Sequence, residues 1–292
     1  MKKIFIFILI IGFLFLINTV ESFEESDFSI IYVSGVGAGN FTKIQDGVDA
    51  AEPGETIYVY NGTYFENVVI DKSIILIGED KDSTIIDGRG VGNTIKVNAN
   101  NVTIKNFTIT HSGLMYPLSG VNLSSNNNIV ENNIITDNFY GLTLYFSSGN
   151  TITNNIIQKD DHCGIYISSS KNNFIINNII QNNNYNGVGL YYSSDNNIIK
   201  DNTFIDNRFC AVNIRVSSNN NVISNNFSDN NIGIHLPSYP NTQSNNSFLN
   251  NGLDIEREFS LTQDVLFFIF VFAVIIVLIA VVSYKIFRKK RK

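Results

Sequence analysis

Tryptophan is absent from the 292-residue chain, and methionine, cysteine, histidine and proline are rare, with 2, 2, 3 and 4 copies. Two cysteines are too few for a disulfide-stabilised scaffold, and so few sulfur and imidazole groups leave little material for a metal centre. Eight of the 20 basic residues lie in segments 1–3 and 285–292, which leaves 12 basic residues for all 26 acidic ones. Because phosphate contacts need clustered Lys and Arg, we expect no nucleic-acid partner.

Both ends of the chain are apolar. Residues 4–17 form an almost unbroken apolar run after two lysines, and a signal-peptidase site fits near Ser22. This predicts a signal peptide over 1–22, with an uncleaved anchor as the alternative. Residues 265–282 are all apolar and precede the basic tail 285–292. We therefore predict a transmembrane helix over 265–284, a cytoplasmic C-terminus and an extracellular domain, so that the membrane is a partner of a single-pass protein.

A four-residue phrase recurs between these ends, with an apolar residue at its second and fourth positions. Successive copies start 21, 23, 23, 24, 22 and 19 residues apart, and the alternation is typical of a strand with one buried face. A period near 23 residues indicates a solenoid. The seven copies begin at Gly120, Gly141, Gly164, Gly187, Ala211, Gly233 and Gly252.

Asparagine recurs with the same period at predicted corners of the chain. Asn tolerates the left-handed backbone conformation of a tight corner, and its amide can bond to the same amide one coil away. We therefore predict one continuous ladder of structural asparagines. Its members are Asn106, Asn133, Asn155, Asn178, Asn202, Asn226 and Asn246.

Together these patterns predict an all-β fold, a right-handed parallel β-helix of about nine coils over residues 56–255. The segment 23–55 precedes it and contains a helix over 42–52, which starts with a Thr42–Gln45 capping box and covers the open edge of the first coil. A linker over 256–264 connects the β-helix to the transmembrane helix.

The run from Thr42 to Tyr60, followed by Gly62-Thr-Tyr-Phe-Glu66, resembles the opening of pectin-lyase-like β-helix proteins. The Asn-rich coils resemble archaeal and bacterial surface proteins grouped with the NosD-type β-helix family. The resemblance covers roughly residues 40–255. It implies the fold, and NosD proteins are accessory factors for copper assembly of nitrous oxide reductase. The predicted membrane anchor departs from the soluble periplasmic members.

In pectin-lyase-like enzymes the outer strand face carries the substrate groove, and this resemblance directs attention to the outward residues of the Gly-led strand. A second file lies at the corner just before the Gly and consists of Tyr140, His162, Tyr185 and Phe209. Aromatic rings on consecutive coils suit stacking on sugar rings, and polar neighbours can bind hydroxyl groups. The alternative is that Tyr is simply common on exposed strands. The candidate ligand-binding residues are Tyr140, Tyr145, His162, Tyr166, Tyr185, Tyr191, Asn213, Arg215 and His235.

Catalytic chemistry has thin support in the sequence. Glycoside hydrolysis needs two carboxylates, and Asp160 and Asp161 are the candidates, with Arg215 as a base or charge stabiliser. No third carboxylate falls in the same place on neighbouring coils, and Asp160 occupies an Asn-type corner position. We therefore interpret Asp160 as part of a turn, and lean towards a protein without enzymatic activity.

A metal site and a disulfide have little support too. His162 and Cys163 could form half a metal site, although a buried corner cysteine is the simpler interpretation. Cys163 and Cys210 lie two coils apart, about 9.6 Å, which exceeds the span of a disulfide. We predict two free thiols and no cofactor.

The sequence-based interpretation is a non-catalytic surface module that binds a cell-envelope glycan or a surface protein. The alternatives are a polysaccharide lyase or glycoside hydrolase, and a NosD-like metal accessory protein. Seven Asn-x-Ser/Thr sequons would permit glycosylation of an exported chain.

Overall fold

The structure is a computed structural model, and it describes residues 30–34, 41–258 and 270–277. Three parallel sheets wind around a common core as a right-handed parallel β-helix of about ten turns. Each turn contributes one short strand to sheet A, then sheet B, then sheet C. The tenth turn arises because sheet A begins at Ile30–Val33, before the predicted start of the solenoid at residue 56.

Sheet A has ten strands. They are β1 (Ile30–Val33), β2 (Thr56–Val59), β5 (Ile75–Gly78), β8 (Thr103–Lys105), β11 (Ile129–Glu131), β14 (Thr151–Thr153), β17 (Phe174–Ile176), β20 (Ile198–Lys200), β23 (Asn221–Ile223) and β26 (Thr242–Ser244).

Sheet B has nine strands. They are β3 (Gly62–Tyr64), β6 (Thr84–Asp87), β9 (Thr108–Thr110), β12 (Ile134–Thr136), β15 (Ile156–Gln158), β18 (Ile179–Gln181), β21 (Thr203–Ile205), β24 (Asn226–Ser228) and β27 (Ser247–Leu249).

Sheet C also has nine strands, and it contains the Gly-led phrase. They are β4 (Val68–Ile70), β7 (Ile95–Val97), β10 (Ser119–Leu123), β13 (Tyr140–Tyr145), β16 (Ile165–Ser168), β19 (Val188–Tyr191), β22 (Cys210–Ile214), β25 (Ile232–Leu236) and β28 (Leu253–Arg257).

The core is a set of stacked aliphatic and phenylalanine side chains. The two apolar positions of the Gly-led phrase point inward on every coil, as in Ile165 and Ile167, which are fully buried. The leading glycine is required by close approach, because a Cβ on Gly164 would lie 2.9 Å from the carbonyl oxygen of Gly187 on the next coil. A Cβ there would force the coils to shift, which explains why six of the seven copies of the phrase begin with glycine.

A seven-residue helix, α1 (Ile44–Ala50), lies at the N-terminal end and is shorter than the predicted 42–52. Ile44 and Val48 are buried in the core, and the helix contacts β1, β2 and β4. The predicted Thr42–Gln45 capping box does not form. The side chain of Glu66 instead accepts hydrogen bonds from the amides of Ile44 and Gln45, at 2.9 and 3.0 Å. A carboxylate near the first free amides is favourable at a helix N-terminus.

The terminal predictions fall largely outside the described residues. The signal peptide 1–22 is not covered, and of the transmembrane prediction 265–284 only residues 270–277 are described, and they are helical. None of the helices within the described ranges has the length and apolar character that a bilayer span requires.

Three ladders of asparagine side chains run along the corners of the solenoid, where one was predicted. In each ladder a side-chain oxygen accepts from the backbone amide and the side-chain amide of the preceding coil, as in Asn178 to Asn202, at 2.9 and 3.0 Å. The ladder between sheets A and B contains Asn133, Asn155, Asn178, Asn202, Asn225 and Asn246. The ladder between sheets C and A contains Asn128, Asn150, Asn173, Asn197, Asn220 and Asn241.

Two of the predicted ladder residues were wrong by one position. Asn225, not Asn226, bonds to Asn246, and Asn226 begins strand β24 with an exposed side chain. Asn106 adopts the left-handed conformation at the corner, with φ of 65°, and the next residue, Phe107, fills the interior. The ladder therefore ends at the backbone amide of Phe107, which donates to Asn133 at 3.0 Å.

Candidate functional site: the corner between sheets B and C

The third ladder lies at the turn that links each sheet B strand to the following sheet C strand, which we call the B–C corner. On the coils of Asp160, Asn183, Asn207 and Asn230 this corner has a residue with positive φ, then a buried ladder residue, then an exposed residue. The ladder residues are Asn138, Asp160, Asn183, Asn207, Asn230 and Asn251. The positive-φ residues are His111, Asp137, Lys159, Asn182, Asp206, Asp229 and Asn250. Because the corner is repeated at each coil spacing, its exposed residues form a continuous line along the solenoid.

Two cavities open along the B–C corner. The larger, of about 490 Å³, spans three successive coils. Its exposed lining consists of Asn182, Asn184, Asp206, Arg208, Asp229 and Asn231. The smaller, of about 290 Å³, lies several coils nearer the N-terminus. Its lining consists of Asp87, Arg89, Gly90, His111, Ser112, Leu114 and Asp137. The amides, carboxylates and guanidinium groups of these linings are donors and acceptors suited to hydroxyl groups.

A row of rings follows directly after the B–C corner in the chain. His162 and Tyr185 have ring centroids 4.5 Å apart, and Tyr185 and Phe209 lie 5.0 Å apart with their planes only 2° from parallel. Phe139 begins this row, 5.6 Å from His162. Backbone hydrogen bonds hold the row in register, for example from the amide of Tyr185 to the carbonyl oxygen of His162. In the chain, Tyr185 directly follows Asn184 and Phe209 directly follows Arg208, and both Asn184 and Arg208 line the larger cavity.

The register assigns Tyr140 differently from the sequence prediction. Tyr140 lies beside Ser119 in sheet C and one residue after Phe139, so Phe139 and not Tyr140 belongs to the row with His162 and Tyr185. The prediction took the residue directly before Gly141, whereas His162, Tyr185 and Phe209 each lie two residues before the Gly or Ala of their own phrase. Phe139 was therefore missed by sequence reasoning, although its apolar ring two residues before Gly141 was the available signal.

The outer face of sheet C carries a compact tyrosine cluster. Tyr140 and Tyr166 are only 3% and 6% exposed, so neither offers a ring face to a ligand. The segment between β9 and β10 covers them through Tyr116, whose ring lies 6.3 Å from Tyr140, and the hydroxyl groups of Tyr116 and Tyr145 lie 2.5 Å apart. Burial raises the pKa of Tyr166 to about 12. Sequence reasoning missed Tyr116, because nothing in the repeat places an irregular segment over the sheet.

Tyr145, Tyr185 and Tyr191 remain partly exposed. Tyr191 lies across the space left by Gly189, where a Cβ would be 2.5 Å from its ring. The hydroxyl group of Tyr191 accepts a hydrogen bond from the amide of Asn186 at 2.9 Å. The Tyr191 ring also stacks on Tyr166 at 5.0 Å, so this face of sheet C is packed by its own side chains.

Asn213 and His235 occupy adjacent outward positions in sheet C, and both are buried. Neither polar atom of the Asn213 side chain has a hydrogen-bond partner among the described residues, and the same holds for Nδ1 of His235. Nε2 of His235 lies 3.8 and 3.7 Å from the carboxylates of Glu256 and Glu258. Arg215 is exposed. These two buried groups are therefore not available on the open surface.

The candidate catalytic carboxylates differ in environment. Asp160 is fully buried within the third ladder, where its Oδ1 accepts hydrogen bonds from Asn138, whereas Asp161 is exposed. Desolvation by burial raises the pKa of the Asp160 carboxyl well above its usual range. A fully buried carboxyl group bonded within a ladder cannot reach a substrate, which agrees with the interpretation of Asp160 as a corner residue.

Cys163 and Cys210 are both buried and form no disulfide. The coil of Asn186 separates them, since Asn186 contacts Cys163 Sγ at 3.6 Å through Nδ2 and accepts from the Cys210 amide through Oδ1 at 3.2 Å. One coil therefore lies between the two cysteines, which is the register from which the free thiols were predicted. Nδ1 of His162 lies 3.2 Å from Cys163 Sγ, and burial lowers the pKa of His162. Within the described ranges, no group of three or more His, Cys, Asp or Glu side chains gathers as a metal site would require.

Fold and site define a parallel β-helix protein with a polar groove along one corner. The family model of the periplasmic copper-binding protein NosD matches residues 48–261, so the chain belongs to the NosD family. That description places the family in the periplasm, in agreement with a β-helix domain outside the cytoplasm. A comparison with curated proteins found no match.

Solved structures with the same architecture act on polysaccharides according to their titles. Pectin methylesterase from carrot is 14% identical, with a TM-score of 0.53, covering 80% of this chain and 89% of that chain. Pectate lyase Pel9A is 17% identical, with a TM-score of 0.56 and coverages of 80% and 78%. The catalytic domain of a GH87 α-1,3-glucanase in complex with nigerose is 17% identical, with a TM-score of 0.59 and coverages of 77% and 45%. At these identities the likeness establishes the fold alone.

Proposed function

We propose that this NosD-family protein is a non-catalytic surface module that binds glycan in the larger cavity of the B–C corner. The observation that carries the proposal is the cavity of about 490 Å³ over three successive coils, whose exposed lining presents amide, carboxylate and guanidinium groups. Sugar rings present a rim of hydroxyl groups and apolar faces. The polar lining complements the hydroxyl groups, and the half-buried Tyr185 and Phe209, which follow the lining residues Asn184 and Arg208 in the chain, add apolar surface.

The burial of the other candidate residues supports the B–C corner over the outer face of sheet C. Tyr140, Tyr166, Asn213 and His235 are buried, so the face first considered offers a ligand only Tyr145, Tyr191 and Arg215. The row of His162, Tyr185 and Phe209 is only half-buried, and two of its members directly follow lining residues of the larger cavity in the chain. The ligand-binding residues of the proposal are therefore His162, Tyr185, Phe209 and the lining of the larger cavity.

Binding of oligosaccharides to the purified full-length chain, measured by calorimetry, tests the proposal. Aromatic contacts contribute about 0.5–1.5 kcal/mol, so we expect Tyr185→Ala to weaken binding up to about tenfold. Tyr192→Ala is the matched control, because Tyr192 is a 63% exposed tyrosine at a different corner. Equal loss of affinity in both variants, or no binding by the wild-type chain to any glycan, would reject the site.

A polysaccharide lyase or hydrolase is the second candidate, and one observation favours it. Asp206 and Asp229 lie on adjacent coils within the larger cavity, beside Arg208. Coils are about 4.8 Å apart, and paired carboxylates about 5 Å apart serve retaining glycosidases. A reducing-end release assay on bound glycan decides between the candidates. Turnover that Asp206→Asn and Asp229→Asn both abolish would make the protein an enzyme.

Copper is the ligand in the family's description. Among the described residues, the histidine–cysteine contact of His162 with Cys163 involves a fully buried thiol whose pKa burial raises to about 12. His111 pairs with Asp87 at another corner, and His235 faces Glu256 and Glu258. These residues do not converge, so the described part of the chain does not fit a copper centre.

Attachment to the membrane is part of the proposal. It rests on the apolar run 265–282 followed by the basic tail 285–292, which favour a single span with the β-helix outside. Truncation of the chain after residue 258 tests this point. We expect the truncated protein in the soluble fraction of the envelope and the full chain in the membrane fraction, and the same distribution for both would exclude the anchor.

A further inference from the structure

The two cavities of the B–C corner lie on one line. Sheet B pairing places residues 87, 111, 137, 159, 182, 206 and 229 at or beside equivalent corner positions on seven successive coils. Six coil spacings of about 4.8 Å give a length of about 29 Å. The corner positions follow one another along the solenoid because the pairing register of sheet B is continuous between these coils. A ligand that follows it would run parallel to the solenoid axis.

The charges along this line are mixed, with an excess of carboxylates. His111 already pairs with Asp87 at 3.0 Å, and Arg89 lies over the Phe65 ring at 4.7 Å. The basic residues on the line are Arg89, Lys159 and Arg208, since a contact with an aromatic ring leaves the Arg89 charge in place. They stand against five carboxylates, of Asp87, Asp137, Asp161, Asp206 and Asp229. A chain of uronic acids would meet net repulsion here, because like charges a few ångströms apart are unfavourable.

We infer that the corner line takes a neutral linear polysaccharide, lying along the solenoid axis and contacting both cavities. This inference rests on the proposed function and names its ligand class. The half-buried rings of Tyr185 and Phe209 offer uncharged apolar surface next in the chain to the lining of the larger cavity, and the carboxylates accept hydrogen bonds from hydroxyl groups. Lys159 lies between the cavities, where an extended chain would cross it. A short oligosaccharide fills one cavity, and only a longer chain reaches the second.

Variants at the two ends of the line distinguish this arrangement from a single pocket. Asp229→Ala alters the larger cavity and Asp137→Ala the smaller one, and both side chains are exposed. We expect Asp229→Ala to weaken binding of a neutral trisaccharide and a neutral decasaccharide alike. Asp137→Ala should weaken binding of the decasaccharide several-fold and leave the trisaccharide unchanged.

The experiment measures affinity of the full chain for neutral glucans, mannans and xylans and for polygalacturonate and alginate of matched lengths. Preference for a neutral series, growing with chain length, supports the inference. Equal or tighter binding of a polyuronate overturns it and leaves glycan binding intact. Equal affinity for trisaccharide and decasaccharide overturns the alignment along the corner. Absence of binding to every glycan rejects the proposed function itself.

Discussion

Asn138 donates both its backbone N–H, at 3.0 Å, and its side-chain amide, at 3.3 Å, to the same oxygen of Asp160 on the next coil. The second oxygen, Oδ2, is buried and has no hydrogen-bond partner among the described residues. On the following coil the amide of Asn183 fills the equivalent place and donates to Asn207 at 3.0 Å. A protonated Asp160 would supply the donor that asparagine provides, and burial favours that neutral form by raising the pKa of the carboxyl.

Asp160→Asn should therefore stabilise the protein at neutral pH, by about 1–3 kcal/mol. The folded state keeps the Asp160 proton to a higher pH than the unfolded chain, whose carboxyl has the ordinary pKa of 3.8. Its contribution to stability is complete below that value and is lost as the pH rises through the folded pKa. Urea unfolding measured from pH 3.8 upward should show that the unfolding free energy of the wild type declines as the pH rises. The Asp160→Asn variant should lack this decline.

Asp161→Asn is the control for that series, because Asp161 is exposed and adjacent in sequence. Its unfolding free energy should follow the wild-type pH dependence. A loss of stability in Asp160→Asn at neutral pH would mean that the carboxylate is ionised and has a partner in the folded protein.

Asn225 and Asn226 offer a second, sharper comparison. The Asn225 side chain accepts two hydrogen bonds from Asn202 and donates to Ile199, Ile223 and Asn246. We expect Asn225→Ala to lower the unfolding free energy by about 3 kcal/mol or more, since several buried groups lose partners together. Asn226 bonds only to the exposed Ser247 through its side chain, and Asn226→Ala should change stability by less than about 1 kcal/mol.

Thermal or urea unfolding of both variants checks this prediction. If Asn226→Ala were the more damaging of the two, the one-residue assignment of this ladder would be wrong. Because the neighbours have the same side chain, the comparison isolates position from chemistry.

The same pair shows how far sequence reasoning reaches. The period of the Gly-led phrase predicted the solenoid, and the asparagines that recur with it predicted the ladder positions of Asn155, Asn178 and Asn202. These positions were correct because the alternation of buried and exposed residues repeats there without interruption. It erred at Asn226, since two consecutive asparagines satisfy the same pattern and only strand pairing distinguishes them. At Asn106 the neighbouring Phe107 occupies the interior position because its side chain is apolar. A prediction based only on the spacing of asparagines does not take this into account.

The candidate site was harder to predict, because exposure depends on segments outside the repeat. Tyr140 and Tyr166 have outward positions in sheet C, yet Tyr116 from an irregular segment covers them. Asp206 and Arg208 resemble ordinary corner residues in the sequence. Only the structure shows that adjacent corners stack and that these two side chains line a cavity. His162 and Tyr185 were identified from the sequence, whereas their neighbour Phe139 was recognised only from the register of adjacent coils in the structure.

Cys163 and Cys210 should resist thiol reagents in the native protein. Burial raises the pKa of each thiol to about 12, so almost no thiolate exists at pH 8 and neither sulfur atom is accessible. We expect two thiols to react with a chromogenic disulfide reagent after denaturation and almost none before. Mass spectrometry under non-reducing conditions supplies the control, and detection of a bridge between the two cysteines would contradict the coil assignment.

Asn213 is the one position where removing a polar side chain should strengthen the fold. It is fully buried between Gly189 and His235 on adjacent coils, and its amide lacks a partner at both atoms among the described residues. Leaving such groups unpaired costs about 1–3 kcal/mol, which Asn213→Leu would recover in part at similar volume. Asn207→Leu is the matched control, because the same change breaks the ladder bonds to Asn183 and Asn230 and should be strongly destabilising. If Asn213→Leu were equally damaging in urea unfolding, a buried water molecule or another group must bind the amide, and the pair of Asn213 and His235 would form an internal polar site.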